Sequence, residues 1–183
     1  SAKVSSPLRV DLTGKLKPGG NSIEVIKEEG KGYTTAQARV GFYRPWDGVK
    51  EGGALDKERF LDLSVKFDKT EARVGEAIRC DIEVARIGRY GWGMMVAEIG
   101  LPPGVDIEKA DLEAVITKRV VGLDHYEIQP DKVVLYLWPG SREAKFSFTF
   151  KPRLAMKAKS APSLLYDYYN PDAQALAKPV LFT

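Results

Sequence analysis

A strict alternation of apolar and polar residues is the sequence feature that most constrains the fold of this chain. It is clearest in residues 61–67, 78–84 and 145–150. In the segment 145–150, three phenylalanines alternate with polar side chains. A period of two places one set of side chains on the buried face of a strand and the other set on its wet face. Antiparallel sheets contain such strands, whereas buried parallel sheets contain continuous apolar runs.

Further strand candidates follow the same segments along the chain. Met94 to Ile99 is almost entirely apolar, which favours a central strand, and Val133 to Trp138 is rich in β-branched and aromatic residues. Glycine and proline turns separate these segments. We therefore predict an all-β fold over residues 58–183, an antiparallel β-sandwich of about nine strands with one short helix.

That helix is predicted from Asp106 to Thr117, on a crossover at the edge of the sandwich. Two prolines just before it end a strand, and apolar residues recur at helical spacing on one face. The opposite face carries Asp106, Lys109 and Glu113. Lys109 and Glu113 are spaced to form an ion pair worth a few tenths of a kcal/mol.

The first 50 residues form a separate region. Alternating segments near residues 8–12, 23–26 and 36–42 predict three strands, and the glycine-containing residues 47–57 predict a linker. Three strands alone make a thin sheet with exposed edges. We therefore interpret residues 1–50 as a partial β-domain whose remaining strands lie elsewhere in a longer protein.

Composition and charge exclude several classes of partner. The formal net charge is only +3, and acidic and basic residues are interleaved, so no cationic cluster predicts a nucleic-acid partner. No apolar stretch approaches the roughly 20 residues of a membrane span. The first residues have no signal core, so in an exported parent protein we expect the signal to lie upstream.

Two residues could carry chemistry, but their contexts favour structural roles. Cys80 occupies the apolar face of its alternating strand, where a buried thiol is inert. His125, the single histidine, shares the polar face of its strand with Glu127 and has no second ligand at matching spacing. We predict neither an enzyme nor a metal site, and no cofactor. A sandwich glycosidase would need two carboxylates held at one sugar bond, which sequence does not reveal.

Aromatic residues near turns support an alternative function. Trp92 lies between two glycines, and Tyr90 and Trp46 flank turns. Exposed rings of this kind could bind sugars in a carbohydrate-binding or adhesion sandwich, while rings packed over the ends of the sandwich would be structural.

From about Arg59 onward the chain resembles the receptor-binding domain that ends alpha-2-macroglobulins and complement-like thioester proteins. The resemblance rests on four segments: Arg73-Val74-Gly75-Glu76 before the Cys80 strand, the apolar run into Leu101-Pro102-Pro103-Gly104, Val133 to Leu137, and Tyr166-Asp167-Tyr168-Tyr169-Asn170-Pro171-Asp172. The last of these is the most specific. Residues 1–50 resemble, more weakly, the C-terminal strands of a CUB-like domain.

The resemblance implies a non-catalytic recognition and packing module of a protease-trapping protein located outside the cell or in the periplasm. It implies contact with the thioester domain of the parent protein, indirect contact with proteases, and a receptor as a further partner. With one cysteine the chain lacks the disulfides of animal members, which resembles the bacterial branch. The thioester motif itself is absent from this chain.

The implied recognition surface is the polar side of the helix, with Asp106, Lys109 and Glu113. Animal members carry two receptor-contact lysines there. Lys109 matches one of these positions, but Val105 stands at the other, which puts binding to an animal-type receptor in doubt.

Overall fold

The computed structural model describes residues 9–27, 35–41, 45–49, 60–87, 93–118, 122–138 and 143–183. The chain divides into two compact units, Ser1–Phe42 and Tyr43–Thr183. The predicted domain limits, 1–50 and 58–183, stay predictions.

The second unit contains every strand found among the described residues. In chain order the strands are β1 (Leu61–Phe67), β2 (Ile78–Arg86), β3 (Met95–Gly100), β4 (Val105–Ile107), β5 (Leu123–Gln129), β6 (Lys132–Leu137), β7 (Glu143–Pro152), β8 (Ala158–Lys159), β9 (Ser163–Asp167), β10 (Gln174–Ala177) and β11 (Leu181–Phe182). One α-helix, α1 (Lys109–Lys118), lies between β4 and β5.

The strands form two main antiparallel sheets. The first has the order β1-β2-β7-β4 and the second the order β10-β9-β3-β6-β5, and β11 pairs with β8 in a small third sheet. The two main sheets together hold nine strands. The predicted antiparallel sandwich with one helix is confirmed.

The core is built by the alternation seen in the sequence. The odd-numbered members of β3 and β6 and the even-numbered members of β2 and β7 are almost fully buried between the sheets. Because a period of two sends every second side chain inward, each of these four strands supplies three or four core residues. Cys80 is one of them, lying opposite Phe67 and Phe148 in the ladder with no measurable exposure.

The sandwich is closed along both of its long sides. On one side β1 packs against β9 and β10 of the opposite sheet. On the other side α1 packs against β7 of the first sheet and β5 of the second. The helix therefore contacts both sheets on this side of the sandwich.

The helix begins later in the chain than the helical spacing of its apolar residues predicts. Asp106 and Ile107 belong to β4, in which Asp106 pairs with Lys151 of β7, and α1 starts only at Lys109. The prediction that the helix begins at Asp106 is therefore wrong. The backbone from 105 to 107 instead pairs with the free edge of β7, because that edge offers hydrogen-bond partners that a helix start does not.

The C-terminus is held in the same core. Phe182 of β11 makes edge-to-face contacts with Phe67, at a centroid distance of 4.9 Å, and with Phe150, at 6.0 Å. The amide of Thr183 donates to the carbonyl of Thr70 at 3.0 Å. The last residues are thus part of the sandwich.

In the first unit, the described residues 9–27 and 35–41 contain no strand. Short polar turns occur instead: the side chain of Asn21 bonds both the amide and the carbonyl of Lys17, and Asp11 accepts from the amide of Thr13. The apolar members of the alternating segments, such as Val25 and Val40, are exposed. A strand needs a neighbour for its backbone groups, and none is supplied by the described part of this unit. Residues 8 and 42 and most of the predicted linker lie outside the described residues.

Candidate recognition surface

Helix α1 is seated on the sandwich by its apolar face. Leu112 is fully buried, and Val115 and Ile116 are half-buried against the core. These three residues recur at helical spacing, as the sequence predicts. Burying a leucine of this kind contributes roughly 1.5–3 kcal/mol. The polar face of the helix is therefore held in a fixed position on the sandwich.

The start of the helix is tied to the neighbouring strand. Beyond β4, the amide of Glu108 donates to the carbonyl of Thr149 in β7, at 2.8 Å. The amide of Thr149 in turn donates to the Asp111 carboxylate, also at 2.8 Å. The Asp111 carboxylate thus takes the place that a backbone carbonyl of a neighbouring strand would have beside Thr149. Its charge lies in the first helical turn, where the helix dipole favours an anion. Sequence reasoning did not find this bond to β7.

The three predicted recognition residues do not share one face of the helix. Lys109 and Glu113 lie one turn apart on α1, and both are exposed. Asp106 lies on β4, also exposed, where it faces Arg153 at 3.4 Å. Its assignment to the helix face is the second consequence of the wrong helix start.

Glu113 interacts with β5 instead of forming the predicted ion pair with Lys109. Its Oε1 lies 3.5 Å from the hydroxyl of Tyr126, and no ion pair joins it to Lys109 among the described residues. Burial and the nearby Glu113 carboxylate raise the pKa of Tyr126. Lys109 thus projects from the helix start without a carboxylate partner in the described part of the chain.

A buried charge pair anchors the tyrosine-rich segment near the C-terminus. Asp167, at the end of β9, accepts from Arg86 at the end of β2, with Oδ2 and Nη1 2.7 Å apart. Its other oxygen accepts from the amides of Tyr169 and Asn170 at 2.9 and 3.1 Å. The Arg86 guanidinium also donates to the carbonyl of Gly93 at 2.9 Å. This pair joins the two sheets at one end of the sandwich.

The same contacts explain the glycine at position 93. A Cβ atom there would lie 2.7 Å from the ring of Tyr169 and 3.0 Å from Oδ1 of Asp167. Sequence reasoning missed the role of Asp167. The one available signal was its place on the inward-facing register of β9, where an acid needs a buried partner.

The remaining candidate residues have structural surroundings. Burial raises the pKa of the Cys80 thiol far above its usual value, so the thiol is not ionised in the folded chain. His125 is exposed on β5 and its ring lies 5.7 Å from that of Tyr136. Trp46 is 39% exposed, whereas Trp92 and Tyr90 lie outside the described residues.

Carboxylates on the wet strand faces form ion pairs. Glu83 of β2 faces Lys145 of β7 across the ladder at 3.3 Å. In the described ranges no three His, Cys, Asp or Glu side chains are grouped so that they could hold a metal ion. The described part of the chain also has no helix long and apolar enough to cross a membrane.

Comparison with known proteins gives a family match for this region. Residues 92–178 match the sequence model of the family described as the A-macroglobulin receptor binding domain. The matched range includes α1, Asp167 and the outer strands of the second sheet. No curated protein matches the chain.

Solved bacterial alpha-2-macroglobulins share the fold. Native Escherichia coli alpha-2-macroglobulin, from domain MG7 to the C-terminus, superposes with a TM-score of 0.52 at 10% identity, over 72% of this chain and 24% of that one. The elastase-activated E. coli protein gives 0.55 at 10% identity, over 69% and 13%. Salmonella alpha-2-macroglobulin reacted with methylamine gives 0.53 at 13% identity, over 72% and 10%.

The chain thus spans a tenth to a quarter of the length of these structures. Residues 92–178 of this chain are thus similar in sequence to the A-macroglobulin receptor binding domain, and the C-terminal β-domain shares its fold with the C-terminal regions of bacterial alpha-2-macroglobulins.

Proposed function

We propose that this chain is a non-catalytic recognition and packing module of an alpha-2-macroglobulin-like, protease-trapping protein. The family match over residues 92–178 is the observation that carries the proposal. In this proposal the parent protein is cleaved by an attacking protease and changes shape around it. The solved E. coli relative, described as activated by porcine elastase, supports a response to proteases of this kind.

The proposed contact surface is the exposed side of α1 with Lys109 and Glu113, together with Asp106 on the adjoining strand. Two features support it. The helix contacts both sheets and buries Leu112 in the core, so its polar side chains project from a packed base. Lys109 also has no carboxylate partner among the described residues, so its charge is available to an acidic partner.

The partner in this proposal is the thioester domain of the parent protein. Before cleavage the helix side of the module packs against that domain, and after cleavage it is released and becomes accessible to a receptor. Residues 1–50 belong, in the same proposal, to a CUB-like domain that is completed by strands elsewhere in the parent. The parent is exported, either to the periplasm or out of the cell.

Cross-linking of the intact parent protein tests the change of contact. An amine-reactive cross-linker should join Lys109 to the thioester domain before protease treatment, and the yield of that peptide pair should fall after treatment. Lys66, exposed on β1, provides the control, since its cross-links should change little. Identical Lys109 cross-links before and after cleavage would contradict the proposal.

A binding experiment tests the residues individually. Lys109→Ala and Glu113→Ala should each weaken binding of this chain to the isolated thioester domain by about 1 kcal/mol, roughly fivefold in Kd. Lys66→Ala removes a charge of the same type from a different surface and should leave the affinity unchanged. Equal affinities for all three variants would assign the contact to another face of the domain.

A further inference from the structure

The outer face of the second sheet carries aromatic side chains that the proposed function does not use. Outward positions on neighbouring strands form a row across the sheet, in which Tyr166 is followed by Val96, Tyr136 and His125. Val96 is only 1% exposed although it faces away from the core. Neighbouring side chains must therefore lie over it.

The two tyrosines of this row lie along the sheet. The Tyr136 hydroxyl donates to Glu127 at 3.1 Å, and Glu127 stands on the adjacent strand two residues beyond the direct partner of Tyr136. Glu98 has the same diagonal relation to Tyr166, and burial together with the nearby Glu98 carboxylate raises the pKa of Tyr166. Diagonal neighbours in a sheet are roughly 7–8 Å apart, so a hydroxyl reaches such a partner only if its ring leans over the sheet. Each ring then presents a face to solvent.

Two further rings extend this surface. Trp138 and Tyr168 continue the outward alternation one residue past β6 and β9, and they are 51% and 52% exposed. We call Tyr136, Trp138, Tyr166 and Tyr168 the aromatic face. Its rings stand on strands that are two apart in the sheet, at a spacing of about 10 Å. A ligand built of several linked rings can contact aromatic side chains at this spacing, whereas a single small molecule contacts only one of them.

The charges around the aromatic face are already largely paired. Glu98 forms an ion pair with Lys132 at 2.5 Å, and Glu127 accepts from Tyr136. Because Lys132 offsets one of the two carboxylates, these three side chains together carry a net charge of only −1. Carboxylates next to flat rings can accept hydrogen bonds from a neutral, hydroxyl-rich ligand, and phenol hydroxyls can both accept and donate them.

We propose that the aromatic face binds a neutral oligosaccharide, with ring faces of Tyr136, Trp138 and Tyr166 stacking on the C–H faces of its sugar units. Glu98 and Glu127 accept hydrogen bonds from the sugar hydroxyls. This site lies on the sheet, and the interaction does not depend on the helix contacts of the proposed function. Loss of one activity therefore leaves the other measurable.

Calorimetric titration of the 183-residue chain tests the proposal. The saccharides used are neutral hexamers of β-1,4- and α-1,4-linked glucose and of β-1,4-linked N-acetylglucosamine. At least one should bind, and Trp138→Ala and Tyr166→Ala should each weaken its binding about tenfold or more. Trp46→Ala is the matched control, since it removes an exposed tryptophan that is outside the aromatic face.

Three results would overturn the proposal. One is the absence of heat for every saccharide at millimolar concentration. Another is equal binding by Trp138→Ala, Tyr166→Ala and Trp46→Ala. The third is a concentration-dependent dimer that Trp138→Ala abolishes in the absence of saccharide binding, because a second copy of the chain would then cover this surface. Thermal unfolding of each variant, with midpoints close to wild type, establishes that the variants are folded.

Discussion

The buried pair of Asp167 and Arg86 should contribute strongly to the stability of the sandwich. Their side chains are 4% and 9% exposed, and Asp167 also accepts two backbone amides. In Asp167→Ala the guanidinium loses the Asp167 carboxylate in a buried place, and breaking a buried pair in this way costs about 3–5 kcal/mol. Native domains have only about 5–15 kcal/mol in total, so this is a large fraction.

An exposed pair of similar geometry provides the control for this prediction. Arg79 and Asp81 lie 2.6 Å apart but are 60% and 41% exposed. Asp81→Ala should therefore cost no more than about 1 kcal/mol, since solvent screens exposed ion pairs. Because the two ion-pair distances are nearly the same, a larger loss for Asp167→Ala is due to burial together with the two backbone amide bonds that Asp167 also accepts.

Urea unfolding followed by circular dichroism measures both variants. Asp167→Asn should resemble Asp167→Ala more than wild type, because its amide would place a donor against the donors of Arg86. A double-mutant cycle with Arg86→Ala should return a coupling of about 2–3 kcal/mol. If Asp167→Ala loses less than about 1 kcal/mol, or no more than Asp81→Ala, the reasoning from burial is refuted.

Three further predictions concern the core and its backbone. Leu112→Ala should lower the free energy of unfolding by about 2–5 kcal/mol in urea titration, and a loss under 1 kcal/mol would mean that α1 is not seated by this side chain. Gly100→Ala should lower the free energy of unfolding by about 3 kcal/mol or more, since its Cβ would lie 2.0 Å from the carbonyl oxygen of Ala161. Gly20 has open space around it, so Gly20→Ala should unfold at nearly the wild-type urea concentration. Burial raises the pKa of Cys80, so the folded chain keeps a proton that the unfolded chain loses as the pH rises through about 8.5. The free energy of unfolding of wild type relative to Cys80→Ala should therefore fall above that pH. A difference in free energy that stays constant from about pH 7 to 10 would contradict this prediction.

The strands were predictable because their pattern is local. The alternation around Cys80 and through the phenylalanines of β7 states directly which side chains face inward, and the structure has them buried. The helix start was not predictable in the same way. Val105, Asp106 and Ile107 alternate too, but three residues are too few to separate a period of two from a helical period. The free edge of β7 settled that segment as a strand.

The outer face of the second sheet shows a different limit of sequence reasoning. In β9 the more polar set, with Ser163 and Asp167, points inward, and the more apolar set, with Tyr166, points outward. Ser163 accepts from the amide of Gly100 at 2.9 Å, and Asp167 bonds Arg86. These partners are more than 60 residues away along the chain. Hydrophobicity alone therefore could not assign the faces of this strand, nor reveal the aromatic face.

The bonds between Thr149 and the start of α1 also guard the protein against unwanted assembly. An unpaired strand margin is a template on which another chain can add a strand. Glu108 and Asp111 occupy the backbone groups of Thr149 that such an intruder would use. A ligand that displaced α1 would expose the backbone of Thr149 at the edge of β7, and that exposed edge would promote self-association through added strands. A partner that binds α1 without causing this self-association must therefore leave the helix packed on the sandwich and contact only its solvent-exposed side.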